Sequence, residues 1–437
     1  MISIAMDSVH DNRMTQKTIL ILFPNEWDHW EFDAHRYRGK LRFIYEGFDL
    51  HKFPENARLM TFSAGRFIER IVAKYRNAGL VGVLSNEEQF GAVIAAVIAE
   101  RLGLPGVPPA AILTAQHKFY ARERSREVAP EATPAYTVFS PYVQREEEVK
   151  QEFPLFVKPV KATYSILAKR VDNFAELKRH LTFKPLESWI LKKLIQPAED
   201  LAQKYTQFPL DAHHILGEEV LDGMQVTVDG YVHDGVVKIM GVVDSIMYPG
   251  TNAFQRFEYP SSLPEPVQEK MGDIVARIVK AFGLNQSLFN VEFFYNPVNG
   301  DLKMIEMNPR MAYQFADLYE KVDGFNPYDI LVDLTLGRTP KYCFRQGACN
   351  HAASFVLRAF PGSKLMSAPD AAHVKRIREQ YPDARIMVYL KKGNSLAREY
   401  KWLGSYRYAV FNLGAKTSQD LHQRYHQVCS QLPFVFT

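Results

Sequence analysis

The 437 residues are enough for about three domains, and 53 basic against 49 acidic side chains leave a formal charge of +4 with no long block of either sign. That balance gives no electrostatic footprint for a nucleic-acid partner, while 47% hydrophobic and 23% charged residues exclude a disordered or fibrous chain. No stretch approaches the ~20 apolar residues of a membrane span, and Cys343, Cys349 and Cys429 lack framework or metal spacing, so they read as reduced thiols of a cytoplasmic protein.

Residues before Met14 read as a leader or an upstream start codon, outside the fold. From there the chain alternates apolar runs at 18–23, 41–45 and 80–84 with helical stretches at 66–77 and 88–102, a pattern that favours a parallel α/β layer. No Gly-x-Gly-x-x-Gly follows its first strand, so no dinucleotide site is expected there. The run Leu104-Pro105-Gly106-Val107-Pro108-Pro109 punctuates the end of this layer, which sets a first domain at 15–110. An α+β centre follows at 111–338, with strands expected at 155–157, 189–191, 225–232, 236–243 and 288–295. Leu336-Gly337-Arg338-Thr339-Pro340 closes it. The last domain, 339–437, carries strands near 353–358 and 385–390 and a helix over 418–431.

The most informative stretch is Leu288-Phe289-Asn290-Val291-Glu292-Phe293-Phe294-Tyr295, followed after a Pro/Asn/Gly/Asp turn by Leu302-Lys303-Met304-Ile305-Glu306-Met307-Asn308-Pro309-Arg310. Two strands joined by a hairpin turn are expected. Period-two alternation puts Asn290 and Glu292 on one face of the first strand, and Glu306 and Asn308 on one face of the second. Phe289, Val291, Phe293, Ile305 and Met307 then take the buried faces. Two carboxylates and an amide oxygen form a hard donor set that suits Mg²⁺ with phosphates completing the shell, and Arg310 is placed to reach those phosphates.

Parity constrains the turn. Directly opposed residues of an antiparallel pair share a face, and a slip of one residue reverses every side chain. A two-residue loop at Asn299-Gly300 would set Glu292 against Met307. A three-residue loop, Val298-Asn299-Gly300, sets Glu292 against Glu306, so an odd loop or a bulge of equivalent effect is expected.

The pattern Glu292 with Glu306-Met307-Asn308-Pro309-Arg310 resembles the final motif of the ATP-grasp superfamily, and the order of regions is similar to that of its carboxylate–amine ligases. The resemblance implies an ATP-grasp fold of mixed α/β and α+β class: a Rossmann-like N-terminal domain, a two-lobed ATP-binding region with its hinge near 216–223, and a small C-terminal α+β domain. It implies ATP and Mg²⁺ as cofactors, with Mn²⁺ an alternative ion, and metal ligation by Glu292, Glu306 and Asn308. Lys118 and Lys158 resemble the nucleotide-binding lysines. Glu218-Glu219-Val220-Leu221 resembles the hinge whose glutamate and backbone read adenine, with Gln225 where the family usually has an acidic ribose contact. The phosphate loop, usually glycine-rich, here reads Val160-Lys161-Ala162-Thr163-Tyr164-Ser165. Ser165 fits the serine often found at its end, and Lys161 or Thr163 would supply donors from side chains.

The resemblance implies an ADP-forming ligase that joins a small carboxylate and an amine, both amino-acid-like, through an acyl phosphate that Arg310 stabilises. A homodimer is compatible with it. In the loop 244–256, Asp244 is expected to orient an ammonium group and Arg256 a carboxylate. Three other classes stay open: a biotin-carboxylase-like enzyme, a phosphotransferase, and an ATP-binding module without turnover.

Overall fold

The computed structural model describes residues 16–34, 37–52, 54–163, 166–389 and 404–437. The leader expected before Met14 lies outside them. The N-terminal layer runs β1 (Lys17–Leu22), α1 (Glu26–Phe32), β2 (Leu41–Glu46), α2 (Ala64–Tyr75), β3 (Leu80–Leu84) and α3 (Gly91–Arg101). Its strands are parallel in the order β2-β1-β3. The central strand is buried on both sides, as a covered parallel sheet requires: Leu20 and Leu22 pack with residues of α2 and α3, and Ile19 and Ile21 face a second core.

Two helices, α4 (Pro109–Gln116) and α5 (Lys118–Val128), lead into a small antiparallel sheet of β4 (Tyr136–Phe139), β5 (Leu155–Pro159), β6 (Lys169–Val171) and β7 (Ile215–Glu219), in the order β4-β7-β5-β6. Between β6 and β7 come α6 (Phe174–His180) and α7 (Pro185–Tyr205). The strand expected at 189–191 is therefore corrected to helix. Trp189-Ile190-Leu191 is a short apolar run, but Leu194, Ile195, Ala198, Leu201 and Ala202 continue it at helical spacing, through an interior Pro197. Leu201 and Ala202 enter the core of the N-terminal layer, so α7 fastens the small sheet to that layer.

After β7 the chain crosses at 220–223 into an eight-stranded sheet: β8 (Met224–His233), β9 (Val236–Met247), β10 (Phe254–Tyr259), then α8 (Glu265–Ala281), β11 (Ser287–Tyr295) and β12 (Leu302–Asn308). Helix α8 lays Met271, Ile274, Val275, Ile278 and Val279 against Val226, Val228, Val291 and Phe293 on one face. On the other lie α9 (Ala316–Asp323) and α10 (Pro327–Thr335), sharing a core with β1. Then follow β13 (His351–Ala359), β14 (Leu365–Ser367), α11 (Ala371–Gln380), β15 (Arg385–Val388), β16 (Tyr406–Ala415), α12 (Ser418–Gln431) and β17 (Val435–Phe436). Leu390, expected to end a strand, lies outside the described residues. The sheet order β12-β11-β8-β9-β10-β13-β16-β15 shows that the C-terminal strands extend the central sheet.

The motif hairpin realises the bulge and not the odd loop. Asn296 N donates to Asp301 O at 2.9 Å and Gly300 N to Asn296 O at 2.8 Å, so the loop is the four residues Pro297-Val298-Asn299-Gly300, with Gly300 left-handed at φ 74°. Its register pairs Tyr295 with Leu302 and Phe293 with Met304, which continued without change would oppose Glu292 to Ile305. A shift between Glu292 and Phe293 instead pairs Glu292 with Glu306 and Asn290 with Asn308. Ile305 is the extra residue. Met304, fully buried, takes the core place expected for Ile305.

A second bulge lies between β8 and β9, where Met240 is the extra residue between the pairs Asp229–Gly241 and Gly230–Ile239. A Cβ at Gly230 would overlap the Lys238 carbonyl oxygen and the Phe289 ring. Gly230→Ala should therefore cost about 1–3 kcal/mol, read as a lower denaturation midpoint. An unchanged midpoint would show that the strand can give way there.

Candidate functional site

The two opposed glutamates face a cleft between the sheets. Glu292 accepts from the Gln225 side-chain amide at 2.8 Å and lies 3.5 Å from Asn308 Nδ2. Among the described residues it has no cation in ion-pair contact. Burial, and then repulsion by Glu306 and Glu88, push its pKa up to about 8. For Glu306 burial also raises the pKa, but Lys118 and Lys158 outweigh it and hold the group below its ordinary value. Asn308 Nδ2 donates to Asn290 Oδ1 at 3.2 Å, and Asn290 Nδ2 donates to Asp229 Oδ1 at 2.7 Å. Tyr319 donates to the other Asp229 oxygen at 2.9 Å. With its nitrogen engaged, Asn308 has its amide oxygen as the atom that could ligate a cation. The residues fit a divalent cation: Glu292 is a half-buried carboxylate short of positive charge, next to a second carboxylate and an amide whose nitrogen is engaged. The set contains only two carboxylates, consistent with no cluster of three or more His, Cys, Asp or Glu among the described residues, so a bound cation would need ligand oxygens as well.

Both expected lysines reach this point. Lys118, at the start of α5, lies 3.3 Å from Glu306 Oε2 and donates to the Ala162 carbonyl at 2.7 Å. Lys158, on β5, meets Glu218 at 2.7 Å and the Ile305 carbonyl at 3.1 Å. The bulge explains that second contact, since a bulged residue has a carbonyl to spare. Arg122, one helical turn after Lys118 and so on the same face of α5, bonds Glu218 at 2.5 Å and the same Ile305 carbonyl at 2.5 Å. It is 1% exposed. Its role was not assigned from sequence, although the i, i+4 spacing to Lys118 was visible.

Arg310 meets Glu88, with one guanidinium nitrogen at 3.0 Å and a second in closer contact. Glu88 follows β3, at the carboxyl end of a parallel strand where α/β layers place ligand sites; sequence reading took it only as the start of a helix. Its loop is rigid. Ser85 bonds the Leu22 carbonyl at 2.7 Å, and the Glu87 carboxylate caps α3 by accepting from Gln89, Phe90 and Gly91 backbone N–H at 2.7, 3.0 and 2.6 Å.

Other expected residues are placed differently. Glu218 does not offer its side chain to a base edge: it is spent between Arg122 and Lys158, which overcome burial and keep its pKa low. Glu219 accepts from Ala135 N at 2.9 Å, and half-buried Leu221 lies in the crossing between sheets. Gln225 bonds Glu292. Asp244 and Arg256 are corrected outright. Glu292 opposes Thr227, and Thr227 opposes Val243, so the cleft face of β9 carries Val243 and Ser245, and Asp244 turns to the other face. There it accepts from Ser261 and Ser262, at 2.5 Å and 2.7 Å from their hydroxyls. Arg256, two residues from Asp244's partner Glu258, shares that face and pairs with Glu258 at 2.6 Å. Thr227 and Ser245, 3.4 Å apart, hold the cleft-side positions instead. Ser165 lies outside the described residues.

Residues 151–318 match the family model described as ATP-grasp domain. The chain carries an ATP-grasp domain. The L-amino acid ligase from Bacillus licheniformis is similar in fold over 97% of this chain and 99% of that one, at TM-score 0.70 and 16% identity. The biotin carboxylase domain of the Hydrogenobacter thermophilus 2-oxoglutarate carboxylase, crystallised with MgADP, ADP and bicarbonate, aligns over 96% and 91% at TM-score 0.61 and 15% identity. These likenesses establish an ATP-grasp fold over nearly the whole chain. In sequence, the carbamoyl phosphate synthase large chain of Nostoc sp. is 33% identical over 78 residues, 18% of this chain. The chain spans only 7% of that relative's length.

If Glu218 is the shared counter-ion of two buried cations, Glu218→Gln leaves both uncompensated and should cost the ligand-free protein about 3–5 kcal/mol. Chemical denaturation without nucleotide checks this. A midpoint equal to the parent's would return Glu218 to a purely ligand-reading role.

Proposed function

We propose that the protein is an ADP-forming ATP-grasp ligase that joins a small carboxylate to an amine, with amino acids as the substrate class. The observation that carries this is the opposed pair Glu292 and Glu306, flanked by Lys118, Lys158 and Arg310. A carboxylate and an amine form a salt in water, because the carboxylate is a poor electrophile with a poor leaving group. Phosphorylation removes both obstacles.

In this reading a substrate carboxylate oxygen bonds the γ-phosphorus of ATP as the bond to the β–γ bridging oxygen breaks and ADP leaves. The amine nitrogen then bonds the acyl carbon, phosphate departs and the nitrogen loses a proton. Lys118 and Lys158 hold phosphate oxygens as point charges. Glu292, Glu306 and the Asn308 oxygen would hold Mg²⁺, which when bound neutralises charge developing on the transferred group. Arg310, released from Glu88, places charge-assisted donors on the phosphoryl group and then on the tetrahedral adduct. The adenine would lie near the crossing at 220–223, where one lobe gives way to the other. The fold shared with an L-amino acid ligase supports the substrate class, and the three thiols, all free, agree with a cytoplasmic site of action.

The test is a phosphate-release screen with Mg-ATP and paired amino acids, with product masses read from active wells. Glu306→Gln, which keeps shape and removes charge, should fold normally and lower turnover at least about 100-fold. A folded variant with near-parental turnover at limiting Mg²⁺ removes Glu306 from the metal site. Release that requires bicarbonate and no amine would replace amide formation with carboxylation.

A further inference from the structure

Five basic side chains gather at the cleft, and four of them meet a carboxylate: Lys118 meets Glu306, Lys158 and Arg122 share Glu218, and Arg310 meets Glu88. Lys161 is different. It is 4% exposed, and its ammonium donates to the Glu88 carbonyl oxygen at 3.2 Å and to Gln116 Oε1 at 3.0 Å. Both acceptors are neutral, and among the described residues no carboxylate is in ion-pair contact with it. A buried cation held only by neutral oxygens is costly, and an arriving anion would remove the cost. Burial brings its pKa down to about 8, with Glu88, Glu87 and Glu306 opposing the shift from longer range.

Its position is defined by the backbone around it. Lys161 lies three residues beyond Lys158, in the loop that leaves β5. Lys118 N donates to the Val160 carbonyl at 2.9 Å, Lys118 Nζ bonds the Ala162 carbonyl, and Thr163 Oγ1 donates to Gln89 Oε1 at 3.0 Å. The loop is thus strapped both to the start of α5 and to the N-terminal layer. Through Glu88, whose backbone accepts from Lys161 and whose side chain accepts from Arg310, the two cations flank one residue. Lys161 therefore stands on the Arg310 side of the cleft, where phosphoryl transfer would take place, and its loop has no glycine to bring backbone N–H groups close to a phosphate.

Resting on the ligase reading above, we propose that Lys161 is the contact for the anionic oxygen group at the transfer point, the γ-phosphoryl group or the carboxylate that receives it. A side chain here supplies the positive charge that glycine-rich loops supply from the backbone. Lys161 remains protonated throughout; the only bonds that change are the new carboxylate oxygen–phosphorus bond and the broken bond from phosphorus to ADP.

Lys161→Met tests the assignment by calorimetry with Mg-ADP and with the non-hydrolysable analogue Mg-AMPPNP, melting of the ligand-free protein, and phosphate release with the substrate pair from the screen. The melting temperature should hold or rise, because a costly charge is gone, and ADP affinity should stay within about two-fold. If the γ-phosphoryl group is the partner, AMPPNP affinity falls about ten-fold or more. If the carboxylate is the partner, both nucleotide affinities hold and KM for that substrate rises about as much. A lower melting temperature with parental nucleotide affinities and turnover would overturn the proposal and leave Lys161 as a strap. Failure of the parent protein to bind either nucleotide would instead remove the ligase reading itself.

Discussion

One extra residue in one strand governs the site. The four-residue turn after β11 would oppose Glu292 to Ile305, and the bulge at Ile305 restores the register in which Glu292 faces Glu306. The same bulge frees the Ile305 carbonyl, and Arg122 and Lys158 both bond to it. The placement of the carboxylates and that of Lys158 are therefore one geometric event. Removing the bulge would turn Glu306 toward the core and take the anchor from Lys158 together.

The site is also built from two of the chain's three regions, the N-terminal layer and the centre at 111–338. Helix α5 contributes Lys118 and Arg122, the small sheet Lys158 and Glu218, the large sheet Glu292, Glu306 and Asn308, and the N-terminal layer Glu88. Because α7 seats Leu201 and Ala202 in the N-terminal core and Thr163 bonds Gln89, the small sheet is held to that layer from two sides. Without ligand, each of the cations except Lys161 is matched to a carboxylate. A polyanionic ligand would take over some of those pairings, Arg310 from Glu88 above all, so binding and the exchange of ion-pair partners are linked.

Much of this was legible in the sequence. Alternation along 288–295 and 302–310 placed Asn290, Glu292, Glu306 and Asn308 correctly, and the parity argument required an odd loop or a bulge. It did not choose between them, because a bulge depends on which carbonyl finds outside donors, and Arg122 and Lys158 are distant in sequence. Asp244 and Arg256 were misplaced by one residue of parity: a loop rich in charge and aromatics drew attention to them, while the cleft face of β9 carries Ser245. The helix containing Trp189 was read as strand from three apolar residues. Glu88 was missed because a carboxylate following a parallel strand carries no signature until its partner Arg310 is known.

The central claim is that Glu292, Glu306 and Asn308 hold the metal of a metal–nucleotide complex. It is tested most directly by a crystal structure grown with Mn²⁺ and ADP, with the metal located from its anomalous scattering. The account predicts manganese in contact with oxygens of both glutamates, the Asn308 oxygen and the nucleotide phosphates, at about 2.0–2.2 Å, a hard-cation distance. Bound nucleotide with manganese away from these side chains, and the Lys118–Glu306 pair intact, would contradict it.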